Sequence, residues 1–232
     1  FIGRTQGGSG TWLAVFDEKG EVVSSVSARA DLTSLADLIE AHHEELFSRT
    51  DLIILEADID AASVEKVFEY AARYDRKICC AVAVMGEALD HAGAINRADL
   101  FICNQQEAGL LFSEEYDALT PADMERTLQE RIQRAGIPAM VVTLGPAGAV
   151  WADLTGNSGF APPLNVEVVD TTGAGDSFFA GVSIGLTYGK TLAEACSIGT
   201  RLASSVIATK DSVCPRFQPE EFGLPALKEE EI

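Results

Sequence analysis

Basic residues are scarce in this sequence. Its 232 residues include 17 lysines and arginines against 36 aspartates and glutamates, which gives a formal charge of -19. Proteins bind DNA, RNA and anionic membranes largely by neutralising phosphates with basic side chains. The composition therefore argues against a nucleic-acid polymer or a membrane as partner, although it is compatible with one small anion held by backbone amides.

The sequence also lacks long apolar runs, cysteines with C-x-x-C spacing and clusters of metal-binding residues. No run approaches the ~18 apolar residues of a membrane span, and there is no signal-peptide pattern. The five cysteines show no C-x-x-C spacing and the three histidines do not cluster with them, which argues against a zinc site. Each cysteine lies in or beside an apolar run, where it behaves as a small hydrophobe. We expect a reduced, cytoplasmic setting.

An initiator methionine is missing too. The chain starts at Phe1-Ile-Gly-Arg4, and its first strong pattern is already a hairpin. We expect it either to begin partway into its gene product or to be preceded by a further segment.

What the sequence does contain is an alternation of apolar strands and helices. Residues 11–28 predict a β-hairpin around the turn Asp17-Glu-Lys-Gly20. Thr120-Pro121-Ala-Asp123 has the cap, proline and acid of a helix start, and Thr191-Leu-Ala-Glu194 is a capping box. The predicted strands are 52–55, 78–84, 100–103, 139–143, a hairpin strand at Trp151, and 166–169; the predicted helices are 33–48, 61–74, Thr120 to about Gly136, the glycine-rich segment to about Tyr188, and Thr191 to about Ala208.

Continuous apolar strands that alternate with helices predict an α/β fold, with a parallel sheet covered on both faces. The opening hairpin lies outside this alternation and is predicted to be an edge addition or a lid. We therefore divide the chain into a lid-like hairpin, residues 1–30, and a single α/β domain, residues 31–232.

The segment Asp170-Thr-Thr-Gly-Ala-Gly-Asp176 follows a predicted strand and begins a helix. Small residues at 173–175 let a ligand approach the backbone, and first-turn amides without intrahelical partners favour an anion. Two phosphate-binding loops are excluded. A Walker loop needs G-x-x-x-x-G-K-S/T, and no such lysine is present; a dinucleotide loop needs Gly or Ala where this sequence has Phe178.

Asp176 lies in the first turn of this predicted helix. A carboxylate would repel a static phosphate, but beside a phosphoryl group in transfer it can accept the proton of the attacking hydroxyl. Alternatively, Asp176 only complements the helix dipole, which is worth ~0.3–1 kcal/mol. The glycine-rich frame around Asp176 favours the catalytic interpretation.

Residues 170–181 resemble, without a gap, the C-terminal signature of the ribokinase-like (PfkB) carbohydrate kinase family. Asn104-Gln-Gln-Glu107 resembles the family's N-x-x-E motif, and Val142-Thr143-Leu-Gly145 resembles the strand end that borders its ATP site. The resemblance covers essentially the whole chain. It implies a three-layer αβα sandwich with a parallel central sheet and a small β lid, and an ATP-dependent carbohydrate or nucleoside kinase whose nucleotide-binding and catalytic domain is residues 31–232.

By this resemblance Asp176 is the catalytic base, and the backbone amides of Gly173, Ala174 and Gly175 form an anion hole. Glu107, with Asn104, helps to hold Mg²⁺ and its waters near the triphosphate, which suits a cation that keeps much of its water. Taken alone, Asn104 could cap a turn and Glu107 could be a solvated helix-start acid.

The same resemblance implies that Thr143 and Gly145 contact the nucleotide, although Thr143 alone could be an ordinary strand residue. Asp170 and Thr172 match positions that help many members to bind a monovalent cation such as K⁺. The downstream segment 209–215 is less typical of the family's cation loop.

The family's N-terminal glycine-rich signature, which grips sugar hydroxyls, is absent, because Gly7-Gly-Ser-Gly10 is interpreted as a connection to the hairpin. We expect the chain to lack the N-terminal part that supplies most substrate contacts. Residues 10–23 and 217–222 resemble the pseudouridine kinase branch, which makes pseudouridine the first predicted substrate. A ribokinase-, fructokinase- or adenosine-kinase-like substrate is the alternative. A nucleotide- or sugar-binding module without phosphoryl transfer is the alternative from another class.

The predicted hairpin also carries Trp, Phe and Val side chains. If it projects from the domain, a second subunit can cover this apolar surface. We predict a homodimer formed through residues 11–28.

Overall fold

The computed structural model describes residues 2, 8–16, 22–57, 59–82, 92–214 and 217–226. These residues group into two units. The first contains the described residues up to Thr50 together with Ile59–Arg76, and the second contains those within 51–58 and 77–232. This grouping differs from the division at residue 30, which concerns a lid against a catalytic domain and stays a prediction.

The first unit begins with the predicted hairpin. Strands β1 (Thr11–Phe16) and β2 (Val22–Ala28) are antiparallel, with Thr11 opposite Ala28. The turn predicted at residues 17–20 lies outside the described residues. Five large apolar side chains of the hairpin are 57 to 68% exposed, so it presents an apolar surface: Trp12, Leu13, Val15, Val23 and Val26.

Two helices complete this unit, α1 (Leu35–Ser48) and α2 (Ala61–Tyr74). Asp60 caps α2 by accepting a hydrogen bond from the Ser63 amide at 3.0 Å. Between the helices the His43 ring stacks on Tyr70 with centroids 4.2 Å apart, and its Nδ1 lies 2.9 Å from the Tyr74 hydroxyl. Aromatic packing therefore joins α1 to α2.

The second unit is built on a six-stranded sheet with strands in chain order: β3 (Leu52–Glu56), β4 (Lys77–Ala81), β5 (Leu100–Asn104), β6 (Ala139–Thr143), β7 (Ala149–Asp153) and β8 (Ser158–Ala161). β3 to β6 are parallel, whereas β7 and β8 are antiparallel to their neighbours. The predicted parallel sheet is thus present in β3 to β6, and the hairpin strand predicted at Trp151 is β7. Only a short 3₁₀ turn, Gly145–Ala147, separates β6 from β7, and a parallel crossover needs a dozen or more residues.

β3 forms one edge of this sheet. Within the described part of the chain it pairs with β4 alone. Its Ile54 side chain is 58% exposed.

Among the described residues, five helices accompany the sheet: α3 (Ala92–Ile95), α4 (Gln105–Phe112), α5 (Pro121–Ala135), α6 (Ala174–Thr187) and α7 (Leu192–Ile207), with a 3₁₀ turn at Pro219–Phe222. Two predicted helix starts are confirmed. The Thr120 side chain accepts from the Asp123 amide at 3.2 Å, and Thr191 forms a capping box with Glu194. None of the helices formed by described residues is long and apolar enough to cross a membrane.

The sheet of the second unit is covered on both faces. One buried cluster combines Ile102 of β5 and Val141 of β6 with Phe178 and Val182 of α6. Alternate strand residues such as Met140 and Val150 point to the opposite face, where they are fully buried and α5 packs on β7 and β8. α6 and α7 pack so closely that a Cβ on Gly181 would lie 2.7 Å from the Gly199 Cα. The predicted three layers are therefore present within this unit.

The strand predicted at residues 166–169 is wrong. This segment has no regular structure, and Val168 and Val169 are 57% and 49% exposed. The Val169 amide donates instead to the carbonyl of Ile207, at the end of α7, at 2.8 Å. The valines of residues 166–169 indicated a strand, but the Val169 amide finds its acceptor at the end of a helix and not on a neighbouring strand.

Candidate active site

The glycine-rich turn begins α6 as predicted. Gly173 is the N-cap with φ of 79°, and Asp176 lies exposed in the first turn. The amides of Gly173, Gly175 and Asp176 find no backbone acceptor among the described residues, whereas the Ala174 amide donates to Thr171 O at 3.2 Å. Of the three predicted anion-hole amides, those of Gly173 and Gly175 are therefore available to bind an anion, whereas that of Ala174 already donates to a backbone carbonyl. A helix start with unpaired amides and one carboxylate can bind a phosphoryl group and accept a proton beside it.

Asp170 and Thr172 lie together immediately before this turn. The Thr172 amide donates to Asp170 Oδ1 at 2.8 Å. This bond, followed by one from the Thr172 side chain, lowers the pKa of the Asp170 carboxyl. Asp170 therefore stays ionised and could contribute an anionic oxygen to a cation.

The segment after α7 reaches the same place. A Cβ built on Gly173 would lie 2.1 Å from the carbonyl oxygen of Ser212, so only glycine fits there. Thr209 shapes this segment because its hydroxyl oxygen accepts from the Asp211 amide at 3.2 Å. The structure thus brings the atypical 209–214 segment, here called the 209–214 loop, against the glycine-rich turn.

A second group lies at the ends of β5 and β6. Asn104 caps α4: its Oδ1 accepts from the Glu107 amide at 2.8 Å, and Glu107 Oε2 accepts from the Asn104 amide at 2.7 Å. Asn104 is also the register partner of Thr143. Gly145 follows, exposed, in the 3₁₀ turn. The structure therefore brings Asn104, Glu107 and Thr143 together at two adjacent strand ends.

Glu107 has the properties of a ligand for a hydrated cation. Burial raises the pKa of its carboxyl, and the bond from the Asn104 amide opposes that shift only in part. One carboxylate oxygen accepts from that amide, and the other can accept from a cation's water. The described residues contain no group of three or more His, Cys, Asp or Glu that could hold a metal alone. Mg²⁺ typically takes one or two carboxylates together with phosphate oxygens and water, so Glu107 could serve as one of its ligands.

Sequence reasoning missed a network that holds α4 in place. The Gln105 side chain donates to the carbonyl of Tyr116, and the Tyr116 hydroxyl donates to Glu114 at 3.0 Å. Arg131 of α5 pairs with Glu114 at 2.8 Å. Gln105 occupies an unspecified position of the N-x-x-E motif, so nothing in that motif could have indicated its role.

The helix that carries Asp176 packs on the strands that carry Asn104 and Thr143, because Phe178, Ile102 and Val141 share one buried cluster. The family model described as pfkB family carbohydrate kinase matches residues 4–215 of the chain. The chain belongs to the pfkB family. The resemblance inferred from the glycine-rich segment is therefore confirmed, while the role of each site residue stays a prediction.

The curated relatives of this pfkB-family chain include kinases of nucleosides and sugars. The guanosine-inosine kinase of Exiguobacterium acetylicum is 29% identical over 88% of the chain and 67% of its own length. An uncharacterised sugar kinase of Archaeoglobus fulgidus is 30% identical over 89% and 80%. The pseudouridine kinase of Escherichia coli is 21% identical over 85% and 62%.

Solved structures confirm the ribokinase-like fold. A probable sugar kinase from Rhizobium etli superposes with a TM-score of 0.74 at 23% identity, over 89% of this chain and 62% of that one. The ribokinase of Thermotoga maritima gives 0.65 at 22% identity, over 94% and 66%. The chain thus spans about two thirds of the length of these relatives.

Proposed function

We propose that the protein is an ATP-dependent kinase that transfers the γ-phosphoryl group to a hydroxyl of a nucleoside or sugar. The observation that carries this proposal is the start of α6, where amides without a backbone acceptor among the described residues lie in one helical turn with the Asp176 carboxylate. Amides aimed at a phosphoryl group stabilise its charge as it moves. Family membership supports the same reaction.

In this mechanism the Asp176 carboxylate accepts the proton of the substrate hydroxyl, and the hydroxyl oxygen forms a bond to the γ-phosphorus. The bond from the γ-phosphorus to the bridging oxygen breaks, and ADP leaves with that electron pair. The amides of Gly173 and Gly175 donate to the transferred group. Glu107 and Asn104 would hold Mg²⁺ through its waters, and the ion would supply positive charge to neutralise the triphosphate.

A nucleoside is the proposed acceptor. It is supported by 29% identity to a guanosine-inosine kinase and 21% identity to a pseudouridine kinase. Because the first value is higher, guanosine and inosine stand beside pseudouridine, which the sequence predicted, as the substrates to test. Ribose, fructose and adenosine are the alternatives.

ADP release tests the proposal, with the complete gene product and this panel of nucleosides and sugars. Asp176→Asn should lower kcat by about 100-fold or more, since general base catalysis contributes about 10²–10⁴-fold. Asp123→Asn is the matched control, because Asp123 is a first-turn acid of α5 and should be dispensable for turnover. Full activity of Asp176→Asn would refute the base assignment. Absence of ADP release with every acceptor would favour a non-catalytic binding module.

Two finer properties are part of the proposal. A K⁺ requirement is supported by Asp170, Thr172 and the adjoining 209–214 loop, and it predicts higher turnover in KCl than in NaCl at equal ionic strength. Equal turnover in both salts would contradict it. The cytoplasmic setting expected from the sequence likewise stays a prediction.

We also propose a homodimer through the hairpin, supported by its exposed apolar side chains. Sedimentation velocity should give a dimer for the parent and a monomer for Leu13→Glu. Leu154→Glu, at an apolar position 38% exposed outside the hairpin, should remain dimeric. A monomeric parent would contradict the proposal.

A further inference from the structure

A small apolar cluster, here called the C-terminal cluster, joins the end of the described chain to α7. Its buried members are Ile198, Leu202, Phe222 and Leu224. Phe222 is 7% exposed, and Phe217 stacks on it with ring centroids 5.0 Å apart. Phe217, Phe222 and Leu224 are therefore held against α7.

The C-terminal cluster also contacts α6, the helix that begins at Gly173. Ala180 and Ile184 of α6 pack against the cluster from one side, and Cys214 packs against it from another. The Ser205 hydroxyl on α7 lies 3.6 Å from Cys214 Sγ. One end of the 209–214 loop is thus tied to both helices.

The other end of this loop is fixed by hydrogen bonds. Thr209 donates to Val206 O through its amide at 2.9 Å and through its hydroxyl at 3.0 Å. Ser212 lies between the two ends, and its carbonyl oxygen is the atom that leaves no room for a side chain on Gly173. A shift of Cys214 would therefore move Ser212 relative to Gly173.

We propose that the C-terminal cluster positions the 209–214 loop against the glycine-rich turn, with Phe222 as its central positioning residue. This inference rests on the proposed function for its effect on turnover. Phe222 shares the cluster with Ile198 and Leu202, and Cys214 packs against the same cluster, so its effect would reach Ser212 through Cys214. Close-packed interiors transmit such displacements, and a misplacement of about 1 Å at a reacting centre can cost about 100-fold in rate.

The test compares Phe222→Ala with Phe47→Ala, a matched control in the first unit where Phe47 is 5% exposed. Hydrogen exchange is measured at a fixed interval below each variant's melting temperature. Exchange in residues 171–176 and 209–214 should rise in Phe222→Ala and stay at the parental level in Phe47→Ala. kcat should fall by about tenfold to 100-fold in Phe222→Ala, while the KM for the acceptor changes less. In Phe222→Leu, hydrogen exchange in the two segments and kcat should both stay close to the parental values.

Each outcome decides a separate point. Unchanged exchange in both segments would overturn the positioning role, even if turnover fell. Raised exchange with a parental kcat would overturn the link to catalysis. A parent without activity on any acceptor would defeat the proposed function, and exchange would still decide whether the cluster holds the loop. If Phe222→Ala does not fold, Leu224→Ala, at another buried position of the C-terminal cluster, carries the same comparison.

Discussion

Replacement of Gly173 by alanine tests the turn itself, because both its backbone and its surroundings exclude a side chain. At φ of 79° a residue with a Cβ costs roughly 1–2 kcal/mol. The new Cβ would also lie 2.1 Å from Ser212 O, whereas Cβ atoms essentially never come closer than 3.0 Å to a neighbour. The loop or the turn must therefore move by about 0.9 Å, and such overpacking typically costs about 1–3 kcal/mol.

The two costs together predict that Gly173→Ala lowers the free energy of unfolding by roughly 2–5 kcal/mol. Gly136→Ala is the matched control. Gly136 has φ of 72° at the end of α5, with nothing within 4 Å of a built Cβ, so its replacement should cost only the roughly 1–2 kcal/mol of backbone strain. The difference between the variants isolates the contact with Ser212.

Urea unfolding of the parent and both variants measures these free energies, and ADP release measures turnover. Gly173→Ala should lose about 100-fold in kcat because the amides move by nearly 1 Å, whereas Gly136→Ala should keep parental turnover. Equal loss of stability in the two variants, with parental turnover in Gly173→Ala, would refute the close approach of Ser212.

Two further predictions concern pH, and their signs are opposite. Burial raises the pKa of Glu107 in the folded state. The free energy of unfolding of the parent should therefore fall, relative to that of Glu107→Gln, as pH rises above about 4.5. Glu107→Gln should also need a higher Mg²⁺ concentration for turnover. Asp170 has a lowered pKa in the folded state, so the advantage of the parent over Asp170→Asn should be present at neutral pH and disappear as pH falls through the folded-state pKa. Urea midpoints across this pH range measure both differences, and curves that stay parallel would contradict both predictions.

Much of the fold could be predicted because its signals are local. The Thr120 and Thr191 side chains cap helices by accepting from the backbone amides of the residues three positions later, so the sequence shows each local motif at once. Residues 166–169 misled because alternating β-branched residues resemble a strand, while the acceptor at Ile207 lies far along the chain. The hairpin strand predicted at Trp151 is β7, whereas β8 was not predicted from its four residues Ser158–Ala161.

In the candidate active site, too, local contacts could be predicted from the sequence and long-range contacts could not. Asn104 and Glu107 were predicted as a pair, and their capping box has the three-residue spacing of a local motif. The contact between Gly173 and Ser212 joins residues far apart in the chain and leaves no pattern near either. Gln105 was missed because its acceptor is a backbone carbonyl, which any residue at position 116 would supply.

The position of β3 at one edge of the sheet gives the net charge a structural consequence. Among the described residues β3 pairs with β4 alone, a strand edge can recruit a strand of another chain, and the Ile54 side chain is exposed on β3. With a formal charge of -19, two copies repel each other, and this repulsion reaches about 10 Å at 0.1 M salt but only about 3 Å at 1 M. We therefore expect any self-association through this edge to increase as the salt concentration rises.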